Sequence, residues 1–171
     1  MNKFSVLTSI YKSEPHLKTY FKTIFSQIIL PSEIVLVDDT KNPINIDEII
    51  EQQKRIYNFN NIKLIKNIKN LGPARSLNKG LKFCSYNLIF RLDVDDEWKN
   101  SHTFKMLEFY EKNKNYLIYS NSLKKQNFLT NLKCDKYFIN ENHLIHSSWM
   151  INRNICKNFK YRMETPSVAL E

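Results

Sequence analysis

Apolar and polar positions fall in blocks along this chain, and the period changes from block to block. Phe4 to Ile10 is a short apolar run closed by a Lys-Ser-Glu-Pro turn, after which Leu17, Phe21, Ile24, Phe25 and Ile28 recur at helical spacing. Pro31 ends that helix. Glu33 to Val37, rich in β-branched residues, is a second strand that runs into Asp38 and Asp39. The alternation repeats: Ile46 to Phe59 predicts a helix, Ile62 to Lys66 a third strand, Pro73 to Cys84 a helix, and Leu88 opens a fourth strand. Strands alternating with helices predict an α/β domain whose parallel strands are joined by right-handed crossovers.

The fourth strand carries the chemistry that the pattern suggests. Leu88 to Trp98 reads Leu-Ile-Phe-Arg-Leu-Asp-Val-Asp-Asp-Glu-Trp, an apolar run that stops abruptly in Asp93, Asp95 and Asp96. Crowded carboxylates repel one another and resist desolvation, so a divalent cation or a set of donors is expected beside them. Mg²⁺ or Mn²⁺ suits carboxylate oxygens and is often completed by substrate phosphates. Taken alone, the cluster also reads as a solvated acidic turn capping a following helix. Two neighbours favour a site. Tyr11 follows the first strand and Asp38 and Asp39 the second, and ligands of open α/β sheets gather at the carboxyl ends of strands. Asp93 and Asp95 would share a face if the strand continued through them.

Composition narrows the choices. The chain has 171 residues, 42% of them hydrophobic, which is enough for one folded domain with a real core. A formal charge of +9 favours anionic partners, but the lysines are dispersed and lack the spacing of familiar nucleic-acid modules, so no nucleic-acid partner is expected. Only Gly72 and Gly80 are present, which excludes a glycine-rich phosphate loop. Cys84, Cys134 and Cys156 show no metal-ligand or CxxC spacing, and no apolar stretch approaches the ~20 residues of a bilayer span. A reduced, cytoplasmic setting is expected, with any membrane contact peripheral and directed to an anionic leaflet.

Four segments, in order, resemble one family. Ser-Val-Leu-Thr-Ser-Ile-Tyr-Lys-Ser-Glu at 5–14, Pro-Ser-Glu-Ile-Val-Leu-Val-Asp-Asp-Thr at 31–40, Asn-Leu-Gly-Pro-Ala-Arg-Ser-Leu-Asn-Lys-Gly-Leu at 70–81 and Asp-Val-Asp-Asp at 93–96 are similar to the amino-terminal half of a family 2 glycosyltransferase. The resemblance implies a three-layer α/β/α GT-A fold (Rossmann-like) with a central, mostly parallel sheet. It also implies one domain over 1–171, cut at its carboxyl end: 1–100 would bind a nucleotide sugar and 101–171 would begin the acceptor side.

The same resemblance assigns roles. Ser9, Tyr11, Asp39, Arg75 and Asp93 would bind the nucleotide sugar. Tyr11 would pack on the base, Asp39 would accept from a uracil imide or similar edge, and Arg75 would reach the ribose or diphosphate. Each also reads structurally, Tyr11 as a loop aromatic and Arg75 as a surface arginine. Gly72 and Asn78 would shape the turn and tie its helix to neighbouring backbone. Asp95, with Asp93, would hold Mg²⁺ or Mn²⁺ on the diphosphate, and Asp96 would ligate through water or cap the next helix. Transfer from a UDP-sugar or related donor would be inverting, onto a glycan or lipid-linked acceptor of bacterial surface polysaccharide or lipooligosaccharide synthesis.

An inverting reaction needs a carboxylate to deprotonate the acceptor. The family supplies it from a Glu-Asp pair soon after a segment resembling His146-Ser147-Ser148-Trp149-Met150-Ile151-Asn152-Arg153. No such pair follows here, and Glu171 and Glu164 are the candidates that remain. The alternative reading is therefore a truncated, non-catalytic domain that binds nucleotide or a partner protein.

Overall fold

The computed structural model describes residues 2–40, 45–113, 117–119, 130–132, 149–154 and 160–161. The described elements run β1 (Phe4–Ile10), α1 (Glu14–Phe25), β2 (Glu33–Asp38), α2 (Ile46–Tyr57), β3 (Ile62–Lys66), α3 (Pro73–Leu81), β4 (Leu88–Arg91), α4 (His102–Lys112), β5 (Leu117–Tyr119), β6 (Thr130–Leu132) and β7 (Trp149–Asn152). They form one sheet in the order β3-β2-β1-β4-β7-β5-β6. β3, β2, β1 and β4 are parallel, and β7 turns the sheet antiparallel where it joins β4. The predicted α/β class and mostly parallel central sheet are both present.

Strands buried on both faces explain why the sequence reads as unbroken apolar runs rather than as a strict alternation. Val6, Ile34, Leu36 and Phe90 pack against Leu17, Phe21 and Ile24 of α1, Ile50 of α2 and Met106 of α4. On the other face Leu7, Val35, Val37 and Ile89 meet Leu77 and Leu81 of α3. Two helical layers thus enclose the sheet. α3 lies very close: a Cβ built on Gly80 would stand 2.5 Å from Leu7 Cδ1 and 2.7 Å from Val37 Cγ2.

Four expected element ends differ: α3 stops at Leu81 with Lys82 as its C-cap, short of the expected Cys84, and the other three end for local reasons. α1 stops at Phe25, so Ile28 is 63% exposed instead of continuing the buried face of Leu17, Tyr20, Phe21 and Ile24. There the Gln27 side chain donates to the Thr23 and Lys99 carbonyls and accepts from the Thr103 N–H, which turns the chain toward α4. α2 ends at Tyr57 because Asn58 adopts a left-handed conformation, and Phe59 N–H closes back on the Lys54 carbonyl. β4 ends at Arg91, and Asp96 N–H then bonds the Asp93 carbonyl across a turn. The alternation that would have set Asp93 and Asp95 on one strand face does not apply. Nor does Asp96 cap a helix, since α4 starts only at His102 with Ser101 as its N-cap.

Candidate functional site at the carboxyl ends of the strands

β1 and β2 end in register, Ile10 opposite Asp38, and Asp39 N–H donates to the Ile10 carbonyl at 2.9 Å. β4 leaves the sheet earlier, with Arg91 opposite Leu7, and the Thr8 hydroxyl holds its exit by donating to the Leu92 carbonyl at 2.7 Å. Ser9, Tyr11, Asp39 and Asp93 therefore lie at one edge of the sheet, as the order of polar strand ends predicted.

The β1–α1 loop is tightly fastened. Ser13 Oγ accepts from Tyr11 N–H and donates to the Tyr11 carbonyl, while Lys12 N–H donates to Thr40 Oγ1 at 2.9 Å. Thr40 N–H in turn donates to Asp38 Oδ1 at 2.9 Å, so the loops after β1 and β2 are interlocked. Lys12 sits at φ 49°, a left-handed conformation uncommon for a lysine. Its ammonium lies 5.4 Å from the centre of the Tyr11 ring, which is half exposed.

Asp39 is buried and heavily engaged. Its Oδ1 accepts from Asn67 Nδ2 and Leu71 N–H, and its Oδ2 from Gly72 N–H, each at 2.8 Å. Oδ2 keeps one acceptor position. Asn67 also donates to Ser76 Oγ and accepts from Lys79 Nζ, extending the network into α3. The carboxylate thus sets the β3–α3 loop, where Gly72 takes φ 79° and ψ 163°, a region almost restricted to glycine. The same loop carries Arg75 in the first turn of α3, exposed to solvent. Asn78 does tie its helix to neighbouring backbone: its Nδ2 donates to the Tyr161 carbonyl and its Oδ1 accepts from Tyr161 N–H.

The acidic cluster divides by environment. Asp93 is partly buried and ion-paired to Arg91, whereas Asp95 is exposed on the turn. Among the described residues no group of three carboxylate, imidazole or thiol ligands is assembled. The residues present still suit Mg²⁺ or Mn²⁺, because such ions commonly take one or two carboxylates and complete their shell with phosphate oxygens and water. Arg91 and Tyr161 were not foreseen as site residues. An arginine inside the apolar run from Leu88 to Leu92 was the available signal; Tyr161 had none. Glu164, Glu171 and His146 to Ser148 lie outside the described residues.

Comparison with known proteins agrees with this architecture. Residues 5–166 match the profile of Glycosyl transferase family 2. The chain belongs to that family. Its relatives include an Escherichia coli UDP-Gal:alpha-D-GlcNAc-diphosphoundecaprenol beta-1,3-galactosyltransferase, 32% identical over 65% of this chain and 40% of its own length. Another is an Erwinia amylovora amylovoran biosynthesis glycosyltransferase, 34% identical over 54% of this chain and 35% of its own length. The chain spans less than half the length of each. Two solved structures are similar in fold, and both show that the fold is GT-A. Staphylococcus aureus TarS in complex with UDP-GlcNAc has a TM-score of 0.66 at 18% identity, over 91% of this chain and 46% of that one. A Pyrobaculum calidifontis mannosyltransferase in complex with GDP-Man and Mn²⁺ has a TM-score of 0.71 at 13% identity, over the same shares. Among the described residues of this family 2 chain, no helix is long and apolar enough to cross a membrane.

Proposed function

We propose that this chain binds the donor of a sugar transfer at the carboxyl edge of β1, β2 and β4, and that the donor is a nucleoside-diphosphate sugar, a UDP-sugar in the simplest case. The observation that carries the reading is the convergence of Tyr11, Asp39 and Asp93 on that edge, with Asp39 bracing the loop that leads to Arg75. Membership of a glycosyltransferase family and relatives that build bacterial polysaccharides support it.

Tyr11 offers a half-exposed ring to a nucleobase, and Asp39 Oδ2 offers its remaining acceptor position to an imide N–H. Ser9, paired with Val37 just before the end of β1, would join them, and Arg75 would supply a guanidinium for the ribose or diphosphate. Asp95, with Asp93, would hold Mg²⁺ or Mn²⁺. When bound, the ion would neutralise charge on the departing nucleotide. Transfer with inversion would go to a glycan or lipid-linked acceptor of a surface polysaccharide or lipooligosaccharide, with Glu164 or Glu171 as the base. The net charge of +9 would draw the domain to the anionic inner face of the cell membrane, where a lipid-linked acceptor is met.

Calorimetric titration of UDP with Mn²⁺ and with EDTA tests the reading. Mn²⁺-dependent binding is expected, weakened by about tenfold or more in Asp95→Ala with the melting temperature unchanged. Absence of UDP binding with Mn²⁺, or equal binding by Asp95→Ala, would overturn it.

A further inference from the structure

Arg91 is only 2% exposed, although it ends a strand whose other residues are apolar. Strand alternation places it with Ile89 on the face that packs against α3. Burying a guanidinium there is costly, and apolar residues often replace a buried ion pair at no loss or with a gain in stability. Packing alone therefore does not account for an arginine at this position.

Its donors join separate parts of the chain. Nη1 donates to the carbonyls of Leu7 in β1 and of Leu92 just after β4, and Nη2 donates to Asp93 Oδ1. The Tyr161 hydroxyl is buried close enough to feel the charges of both Arg91 and Asp93. Tyr161 is held in its turn, by the two backbone bonds to Asn78 and by its ring, 5.6 Å from that of Trp149 in β7. Asp93 is thus supported from beneath by a cation whose own position depends on β1, β4 and the chain that follows β7. Nε has no partner among the described residues, so the guanidinium is oriented for these contacts at the expense of one donor.

We propose that Arg91 is a positioning residue for the donor site, fixing the Asp93 carboxyl for the diphosphate and its cation and coupling that orientation to Tyr161. The inference rests on the nucleotide-sugar reading above and adds to it a residue that touches neither base nor sugar. A lysine at 91 would keep the charge but lose the planar fork that reaches Asp93 and the carbonyls together.

The test compares Mn²⁺–UDP with uridine, which has the base and ribose but no phosphate, using calorimetry for the first, ligand-observed NMR for the second, and thermal melting in EDTA. In Arg91→Met the affinity for Mn²⁺–UDP is expected to fall by about tenfold or more, the usual cost of losing a partner that orients a ligating group. Uridine affinity should stay within about twofold of wild type and melting should stay cooperative, since the base contacts and the apolar packing are kept. Arg91→Lys should show the same selective loss, and decides the matter if Arg91→Met does not fold. Unchanged Mn²⁺–UDP affinity in the folded variant would overturn the inference, as would loss of uridine and Mn²⁺–UDP affinity by the same factor. Wild-type protein that binds neither would overturn the donor reading itself, and this inference with it.

Discussion

A carboxylate that accepts two backbone N–H groups and a side-chain amide cannot be exchanged even for its own amide without loss. Asp39 is in that position. In Asp39→Asn the least damaging orientation keeps the oxygen toward Asn67 and Leu71, which turns the new NH₂ toward Gly72 N–H. One donor then faces another at a part-buried site. Asp39→Asn should lower unfolding stability by about 0.5–1.5 kcal/mol, measured by urea denaturation, because Gly72 N–H loses its bond to Asp39 and faces a donor, keeping only Asn70 Oδ1 as acceptor. Uridine binding should weaken in the same variant, since the loop braced by Asp39 and the acceptor offered to the base are one carboxyl group. A variant as stable as wild type would show that the loop from Asn67 to Gly72 is held by something else.

The two glycines show how differently one residue type acts at the level of elements. At Gly72 an added Cβ meets nothing within 4 Å, so the requirement is for backbone conformation alone. Gly80 lies inside regular α3, and there the requirement is space against β1 and β2. Gly80→Ala should destabilise by about 1–3 kcal/mol, despite alanine's better helix propensity, because an overpacked contact forces the helix off the sheet. Val37→Ala opens room at one of the two clashing atoms, so the double variant should lose less than the two single losses added together; strict additivity in denaturation experiments would argue against this packing. Neither requirement is visible in the hydrophobic period that located α3. The same holds for helix ends: Leu17, Phe21 and Ile24 mark the buried face of α1 in the sequence, but its stop depends on Gln27 bonding to Lys99 and Thr103, far along the chain. Strands were easier to place. β1 and β2 are short apolar runs between breakers, and their bounds follow closely from that local contrast.

For the whole molecule, the sequence revealed the edge at which polar strand ends meet, because a parallel sheet sends those ends to one side. It did not reveal the Arg91–Asp93 pair or the approach of Tyr161 to it, which depends on a three-dimensional return of the chain to α3. Acid stability is set elsewhere in the fold, which gives a way to separate folding from binding. Burial holds the His102 imidazole, stacked on Trp98 at 4.6 Å, down to about 4 from an ordinary 6.5. Glu33 opens β2 at the opposite edge of the sheet from the candidate site. Burial alone would raise its carboxyl, but bonds from Lys63, Ser5 and Ser85 prevail and leave it below its ordinary 4.5. Both groups bind protons more readily in the unfolded chain, so both contribute stability that acid removes. His102 contributes fully above pH 6.5, and its share is lost as pH falls toward 4, by up to about 3 kcal/mol. The share from Glu33 is present above 4.5 and disappears only as pH drops through its lower folded value. Urea denaturation between pH 7 and pH 4 should therefore show stability falling with acidity. In His102→Phe, which keeps an aromatic ring over Trp98 but cannot take a proton, the slope between pH 6.5 and 4.5 should largely vanish while the loss below 4.5 remains. An unchanged slope in that variant would assign the acid sensitivity to groups other than His102.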